Sequence, residues 1–312
     1  MIGDELLERV EAGGLLAGPQ PLLVMLSGGR DSVCALDLAV RVRGPSAVRA
    51  LHVNYGLREE AEEDEVHCAR LCERLEVNLE VEQARRPDGA GNLQAWAREE
   101  RYGAAARLAE EAGATIVTGH TADDQVETIL YRLASSPSRR ALLGMRPHDG
   151  RLARPLLGTT REETTAYCEE RGLAWRDDAS NEGVDYKRNL VRRELIPELE
   201  KIHPAARENV LRTAALLREE AELLDSLVDA ELAGGEGVSP GTIRHARFAA
   251  LHPALRRLVL QRLADETSGR PVAGAARFAD QVAGLSRGGS ALDLGGGVRA
   301  VLEGGILRAE SS

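Results

Sequence analysis

Residues 21–32 read Pro-Leu-Leu-Val-Met-Leu-Ser-Gly-Gly-Arg-Asp-Ser, and this stretch decides the fold. The apolar run 21–26 has the length of a short buried strand, and Val33, Leu36, Val40 and Arg43 recur at helical spacing over 31–43. Between them lies the hexapeptide Ser27-Gly28-Gly29-Arg30-Asp31-Ser32. Two adjacent glycines permit a tight turn and a close approach of backbone to ligand. Backbone N–H groups, the hydroxyls of Ser27 and Ser32 and the positive end of the helix then face one concavity, which suits phosphate. A carboxylate at Asp31 would repel phosphate unless a cation stood between them, so Asp31 points to Mg2+. A bare Ser-Gly-Gly is more often an ordinary capped turn. The whole hexapeptide between strand and helix favours a phosphate site. It is neither a Walker loop, since no Gly-Lys-Ser or Gly-Lys-Thr is present, nor the Gly-x-Gly-x-x-Gly turn of a dinucleotide fold.

Outward from this loop, strands are expected at 48–54, 77–82 and 114–118, and helices at about 59–76, 92–112 and 122–134. Strands alternating with helices of ten or more residues imply an α/β fold, a Rossmann-like parallel sheet with helices on both faces. After about residue 150 the alternation weakens. Helices are expected at 160–171, 204–233 (one or two), 251–266 and 273–286, and a glycine-punctuated β meander at 290–310. The expected division is a catalytic α/β domain, 1–200, and a smaller, mainly helical domain with a short β tail, 201–312. Pro197 and Pro204 mark the boundary zone.

Two further segments fall where open α/β sheets bind ligands, at the carboxyl ends of strands. In His52-Val53-Asn54-Tyr55-Gly56-Leu57-Arg58, polar His52 and Asn54 alternate with Val53. Thr118-Gly119-His120-Thr121-Ala122-Asp123-Asp124-Gln125-Val126-Glu127-Thr128 offers a histidine and three acids around a helix start. Acids there serve as helix caps in many proteins. Asp124 and Glu127, three apart, can point the same way, and with Asp31 they could hold Mg2+ or an ammonium group. Arg98 and Arg101 share a helix face and could reach phosphates.

Composition narrows the class. The chain has 312 residues, 43% hydrophobic and 29% charged, with a formal net charge of −10. That balance argues against non-specific nucleic-acid binding. Arginines nevertheless gather in 139–161, and 185–193 (DYKRNLVRR) is basic, so a local basic face remains open. No apolar run approaches membrane-spanning length, and the acidic MIGDELLERV start lacks signal-peptide order, so a cytoplasmic protein is expected. The four cysteines, Cys34, Cys68, Cys72 and Cys168, form no disulfide framework. A homodimer is left open.

SGGRDS, HVNYGLR, AREERY (97–102), GHTADDQVET (119–128), RPLL (154–157), DDASN (177–181) and RNLVRRELIPEL (188–199) occur in one order over the first 200 residues. The hexapeptide resembles the pyrophosphate loop of N-type ATP pyrophosphatases. The ordered set resembles the tRNA(Ile)-lysidine synthetase family, and its last two blocks, which are not general to ATP pyrophosphatases, narrow the resemblance beyond that class. The resemblance implies that MgATP adenylates the C2 oxygen of the wobble cytidine in an isoleucine tRNA with a CAU anticodon. The ε-amine of free L-lysine then displaces AMP, forming lysidine. It implies ATP contacts from Ser27, Gly28, Gly29, Arg30, Asp31, Ser32, His52, Asn54 and His120. It implies catalytic roles for Asp31, Arg101, Asp124 and Glu127, with Asp31 and Asp124 toward Mg2+. Lys187, Arg188, Asn189, Arg192 and Arg193 become tRNA-contact candidates. Two features depart from the pattern: Tyr55 stands where a histidine is usual, and SSPS (135–138) replaces a segment usually like Arg-Gly-Ser-Gly. The chain resembles members with one helical domain after the catalytic one.

Three other readings predict different behaviour. A tRNA thiolase of the same superfamily would need reactive cysteines, a small-molecule amidating ligase would use ammonia and no RNA, and a binding module would not depend on Asp31 for ATP turnover.

Overall fold

The computed structural model describes residues 2–56, 61–87, 91–135, 139–176, 186–234, 238–286 and 289–312. Met1–Ala215 and Leu216–Ser312 form two compact units. The DDASN block and the ends of the HVNYGLR and SSPS segments lie outside the described residues.

The first unit is built on a six-stranded sheet of order β3-β2-β1-β4-β6-β5. Its strands are β1 (Leu22–Met25), β2 (Val48–Asn54), β3 (Asn78–Gln83), β4 (Thr115–Val117), β5 (His148–Asp149) and β6 (Leu152–Ala153). All adjacent pairs run parallel except β5 on β6. Every residue of β1 is buried, as a central parallel strand requires. Leu22 and Val24 point into a core with α1 (Ile2–Ala12), α2 (Arg30–Arg43), α3 (Ala61–Arg74) and α7 (Arg161–Glu170). Leu23 and Met25 point the other way, into a core with α4 (Leu93–Ala112). The chain steps from β1 to β2 and β3, then returns to place β4 on the far side of β1. This switch opens a crevice at the carboxyl ends of β1 and β4.

The expected parallel sheet with helices on both faces is thus present. The expected elements do not include the amphipathic helix α1, with Leu6 and Val10 buried one turn apart, the short helix at Arg139–Leu142 or the short β5–β6 pair. The remaining helices of this unit are α5 (Ala122–Ser135), α6 (Arg139–Leu142), α8 (Tyr186–Leu190) and α9 (Ile196–Ile202), with a π-helical turn at Val191–Leu195.

Helix α10 (Ala206–Leu232) is one continuous element, not two. The second unit takes α10 from Leu216 onward and holds α11 (His245–Ala250), α12 (Pro253–Ser268) and α13 (Ala279–Ala283). Its antiparallel sheet contains β7 (Ile243–Arg244), β8 (Ser290–Gly295), β9 (Val298–Glu303) and β10 (Ile306–Ser311), in the order β7-β10-β9-β8. The expected meander at 290–310 is therefore β8–β10. The expected helix 273–286 is broken. Gly274 sits at φ +78°, a 3-10 turn covers Ala275–Phe278, and only α13 is α-helical.

Candidate functional site

The hexapeptide turns from β1 into α2 and is braced from within. Ser32 Oγ accepts from Ser27 N at 3.2 Å and donates to the Gly29 carbonyl at 2.8 Å. The Ser27 and Ser32 hydroxyls lie 3.1 Å apart. Gly28 sits at φ +84°, a region where a side chain is strained, and a Cβ there would also come within 3.3 Å of Cys68 Sγ. Gly29 is the N-cap of α2, and no side chain caps it. The helix start therefore keeps N–H donors for an anion.

The loop after β4 packs directly on this turn. A Cβ at Gly119 would lie 2.5 Å from the Asp31 carbonyl oxygen, so only glycine lets the two loops meet. Thr118 Oγ1 lies 2.8 Å from His120 Nδ1. Burial pushes the His120 imidazole down to about 4. Asp124 opposes that shift, while Arg154, Arg101 and Arg98 reinforce it. His120 is therefore neutral at pH 7.

Asp124 has two roles, one for each oxygen. Its Oδ2 accepts from Thr121 N at 2.8 Å and from Thr121 Oγ1 at 3.0 Å, which caps α5. Its Oδ1 faces Arg161 Nη2 at 3.4 Å. The same Nη2 lies 3.8 Å from Glu127 Oε1, and Arg161 Nε lies 4.0 Å from Asp31 Oδ2. The three acids singled out in the sequence thus converge on one guanidinium. In the sequence Arg161 is only one of the arginines gathered in 139–161. Its contacts come from a distant segment and carry no local signal.

Asp31 Oδ1 also accepts from Thr164 Oγ1 at 2.6 Å and from Arg30 Nε at 3.0 Å. The Arg30 side chain therefore turns along α2 toward Asp31 and Thr164. Glu127 is buried. Burial pushes its carboxyl up to about 7, and Asp124 adds to this, while Arg161 and Arg188 pull it back. Asp123 is occupied in construction, accepting from Arg161 N at 2.9 Å and from Arg207 Nη1 at 2.7 Å.

The other candidates divide by position. His52 is buried, with Nδ1 3.0 Å from the Leu26 carbonyl and 3.5 Å from Cys68 Sγ. Asn54 donates to Glu65 Oε2 at 2.8 Å and accepts from Gly56 N at 2.9 Å, shaping the loop after β2. The Arg101 and Arg98 guanidinium carbons lie 5.5 and 4.7 Å from the Tyr102 ring centre, and Arg101 Nε is buried without a hydrogen bond. Tyr55 donates to the Ala97 carbonyl at 3.1 Å and packs edge-on against Trp96, tying β2 to α4. Of the basic set, Arg188 donates to Thr128 Oγ1 at 2.9 Å, and Arg192 Nε lies 3.6 Å from Glu127 Oε1. Both turn toward α5. Lys187 and Arg193 are exposed, and Asn189 is half-buried.

Residues 5–199 match the model of the PP-loop domain. The chain belongs to the PP-loop family. A tRNA(Ile)-lysidine synthase of Thermus thermophilus is 38% identical over 297 residues, covering 94% of this chain and 57% of that protein. One from Chromobacterium violaceum is 39% identical over 243 residues, covering 74% and 54%. One from Dehalococcoides mccartyi is 34% identical over 292 residues, covering 86% and 61%. The PP-loop chain therefore spans about half to three fifths of these relatives. Among solved structures, the U34-tRNA thiolase NcsA of Methanococcus maripaludis matches with a TM-score of 0.59 at 18% identity, covering 70% of this chain and 79% of that one. At that identity the likeness concerns the fold. No described helix is long and apolar enough to cross a membrane.

Among the described residues, no three His, Cys, Asp or Glu side chains converge closely enough to hold a metal alone. Asp31 and Asp124 instead approach one cationic group from two loops. That donor set fits Mg2+, which takes one or two carboxylates and fills its shell with phosphate oxygens and water.

Proposed function

We propose that this chain carries out ATP-dependent ligation of lysine to the wobble cytidine of an isoleucine tRNA with a CAU anticodon. The observation that carries the reading is the meeting of the Ser27–Ser32 loop, which carries Asp31, with Asp124 and Glu127 at the sheet switch, in a chain so similar to lysidine synthases.

The chemistry has two steps. The cytidine O2 attacks the α-phosphorus of ATP, an O–P bond forms, and the α–β bridge breaks to release pyrophosphate. The uncapped start of α2, with the Ser27 and Ser32 hydroxyls, binds the phosphates, and Arg101 neutralises charge from α4. Asp31 and Asp124 would hold the Mg2+ that accompanies ATP, and that ion would supply further neutralisation of charge on the phosphates. The lysine ε-amine then attacks C2, and AMP leaves with the O2 oxygen. That amine has an ordinary pKa of about 10.4 and must lose a proton. We assign its acceptance to Glu127, whose raised carboxyl pKa suits general-base work near neutral pH. Lys187, Arg188, Asn189, Arg192 and Arg193 are assigned to tRNA. We place the reaction in the cytoplasm and the domain boundary near residue 200.

The thiolase reading is disfavoured by the thiols. All four cysteines are buried. Burial pushes Cys68 up to about 12 and Cys72 up to about 11, and raises Cys34, so these side chains stay protonated.

The test is incubation with labelled lysine, MgATP and total tRNA. Label is expected in isoleucine tRNA and only when the wobble base is cytidine. Pyrophosphate release driven by ammonia without RNA would overturn the reading.

A further inference from the structure

The hub of the site is a residue outside the phosphate loop and outside the acidic motif. Arg161 opens α7 and is largely buried, its side chain 18% exposed. Its backbone N–H is fixed on Asp123, and its guanidinium reaches Asp31, Asp124 and Glu127. One turn later, Thr164 donates to Asp31. Helix α7 is itself bolted to α2, because Tyr167 donates its hydroxyl to buried Asp37, and Arg171 Nε donates to the same carboxylate at 3.2 Å. Three carboxylates this close repel one another, and a buried carboxylate without a counter-charge abandons its ionised form. Arg161 is the cation that all three share; Arg30 Nε also pairs with Asp31 at 3.0 Å, and Arg192 adds a second contact to Glu127.

We infer that Arg161 is a positioning residue for the reaction: it supplies the common counter-charge that holds the phosphate-loop acid and the two α5 acids in one cluster. Its planar fork can address two carboxylates with Nη2 while Nε faces the third, a geometry that a lysine ammonium reproduces only in part. Arg161 is then distinct from an arginine that grips the triphosphate. Its loss should slow turnover with little effect on nucleotide affinity.

Two arms test this. The kinetic arm rests on the lysidine reading and uses ATP-dependent pyrophosphate release with tRNA. Arg161→Gln is expected to lower kcat about 30-fold or more while moving the ATP KM by less than about 3-fold. Arg161→Lys is expected to recover part of the loss. A raised KM with unchanged kcat, or no change in either, would overturn the inference.

The stability arm needs no substrate, so it separates failure of this inference from failure of the lysidine reading. Arg161→Gln is expected to lower the urea midpoint of the full chain. In a chain already carrying Asp124→Asn and Glu127→Gln, the same change should lower it by less than about half as much, because fewer charges are left uncompensated. An equal drop in both backgrounds would show that Arg161 acts through packing alone and would end the proposal.

Discussion

The α-carbon of Gly119 lies so close to Asp31 that a methyl group at 119 would come within 2.5 Å of the Asp31 carbonyl oxygen and 2.9 Å of Ser32 N. Both contacts are to backbone, so no side chain can swing away. Gly119→Ala must push the phosphate loop away from the His120 loop. Displacements near 1 Å cost about 100-fold in well-positioned active sites. Pyrophosphate release is therefore expected to fall by about that factor while far-UV circular dichroism stays native. Wild-type turnover would mean that the two loops need not touch.

Glu127 gives the site a pH dependence. In the proton-accepting role proposed for it Glu127 must be ionised, and its carboxyl is pushed up to about 7. Lysine transfer should therefore rise as pH increases through about 7, and Glu127→Gln should remove that limb. Stability runs the other way. A carboxyl raised above its unfolded value contributes stability below about pH 4.5 that is lost as pH rises through about 7. Glu127→Gln should thus raise the thermal midpoint at pH 8 by about 3 °C and leave it unchanged near pH 4. A pH-independent shift would contradict the assignment.

Asp37 is 1% exposed and paired with Tyr167 and Arg171. Tyr167→Phe leaves that carboxylate one donor short, so a loss of about 1–3 kcal/mol is expected in urea unfolding. The pair joins α2 to α7, and α7 carries Arg161. Turnover at a temperature where the variant is fully folded should therefore fall as well. An undiminished rate would show that α7 is seated without this bond.

The buried thiols make a negative prediction. Replacing Cys34, Cys68, Cys72 and Cys168 with alanine should lower stability by removing packed sulfur, yet leave lysine incorporation at 20 °C within about 3-fold of wild type. Abolished incorporation in a folded variant would return attention to cysteine chemistry.

Much of the fold was legible because its signals are local. The buried run 21–26, the helical spacing after it and the repeated alternation to residue 135 follow from side-chain periodicity. The site was legible where chemistry and chain order coincide, as at Ser27–Ser32 and at 119–128. Other parts were not. Gly274, at φ +78°, keeps 273–274 out of the helix, and Phe278, at ψ 1°, separates the 3-10 turn Ala275–Phe278 from the short helix α13. The alternation of Asn54 with Val53 gave no sign that its side chain also shapes the loop after β2 through Glu65 and Gly56. Asp124 fits both the capping and the site readings, since each of its oxygens serves one of them.

The amino-acid order by itself determined the strand–loop–helix framework, the candidate phosphate turn and the acids opposite it, because each depends on residues a few positions apart. Only the folded chain decided which cation those acids share. Arg161 is brought to Asp31 by the docking of α7 on α2 through Tyr167 and Asp37. Attraction between charges depends on distance in space, and that distance is set by packing of helices remote in sequence.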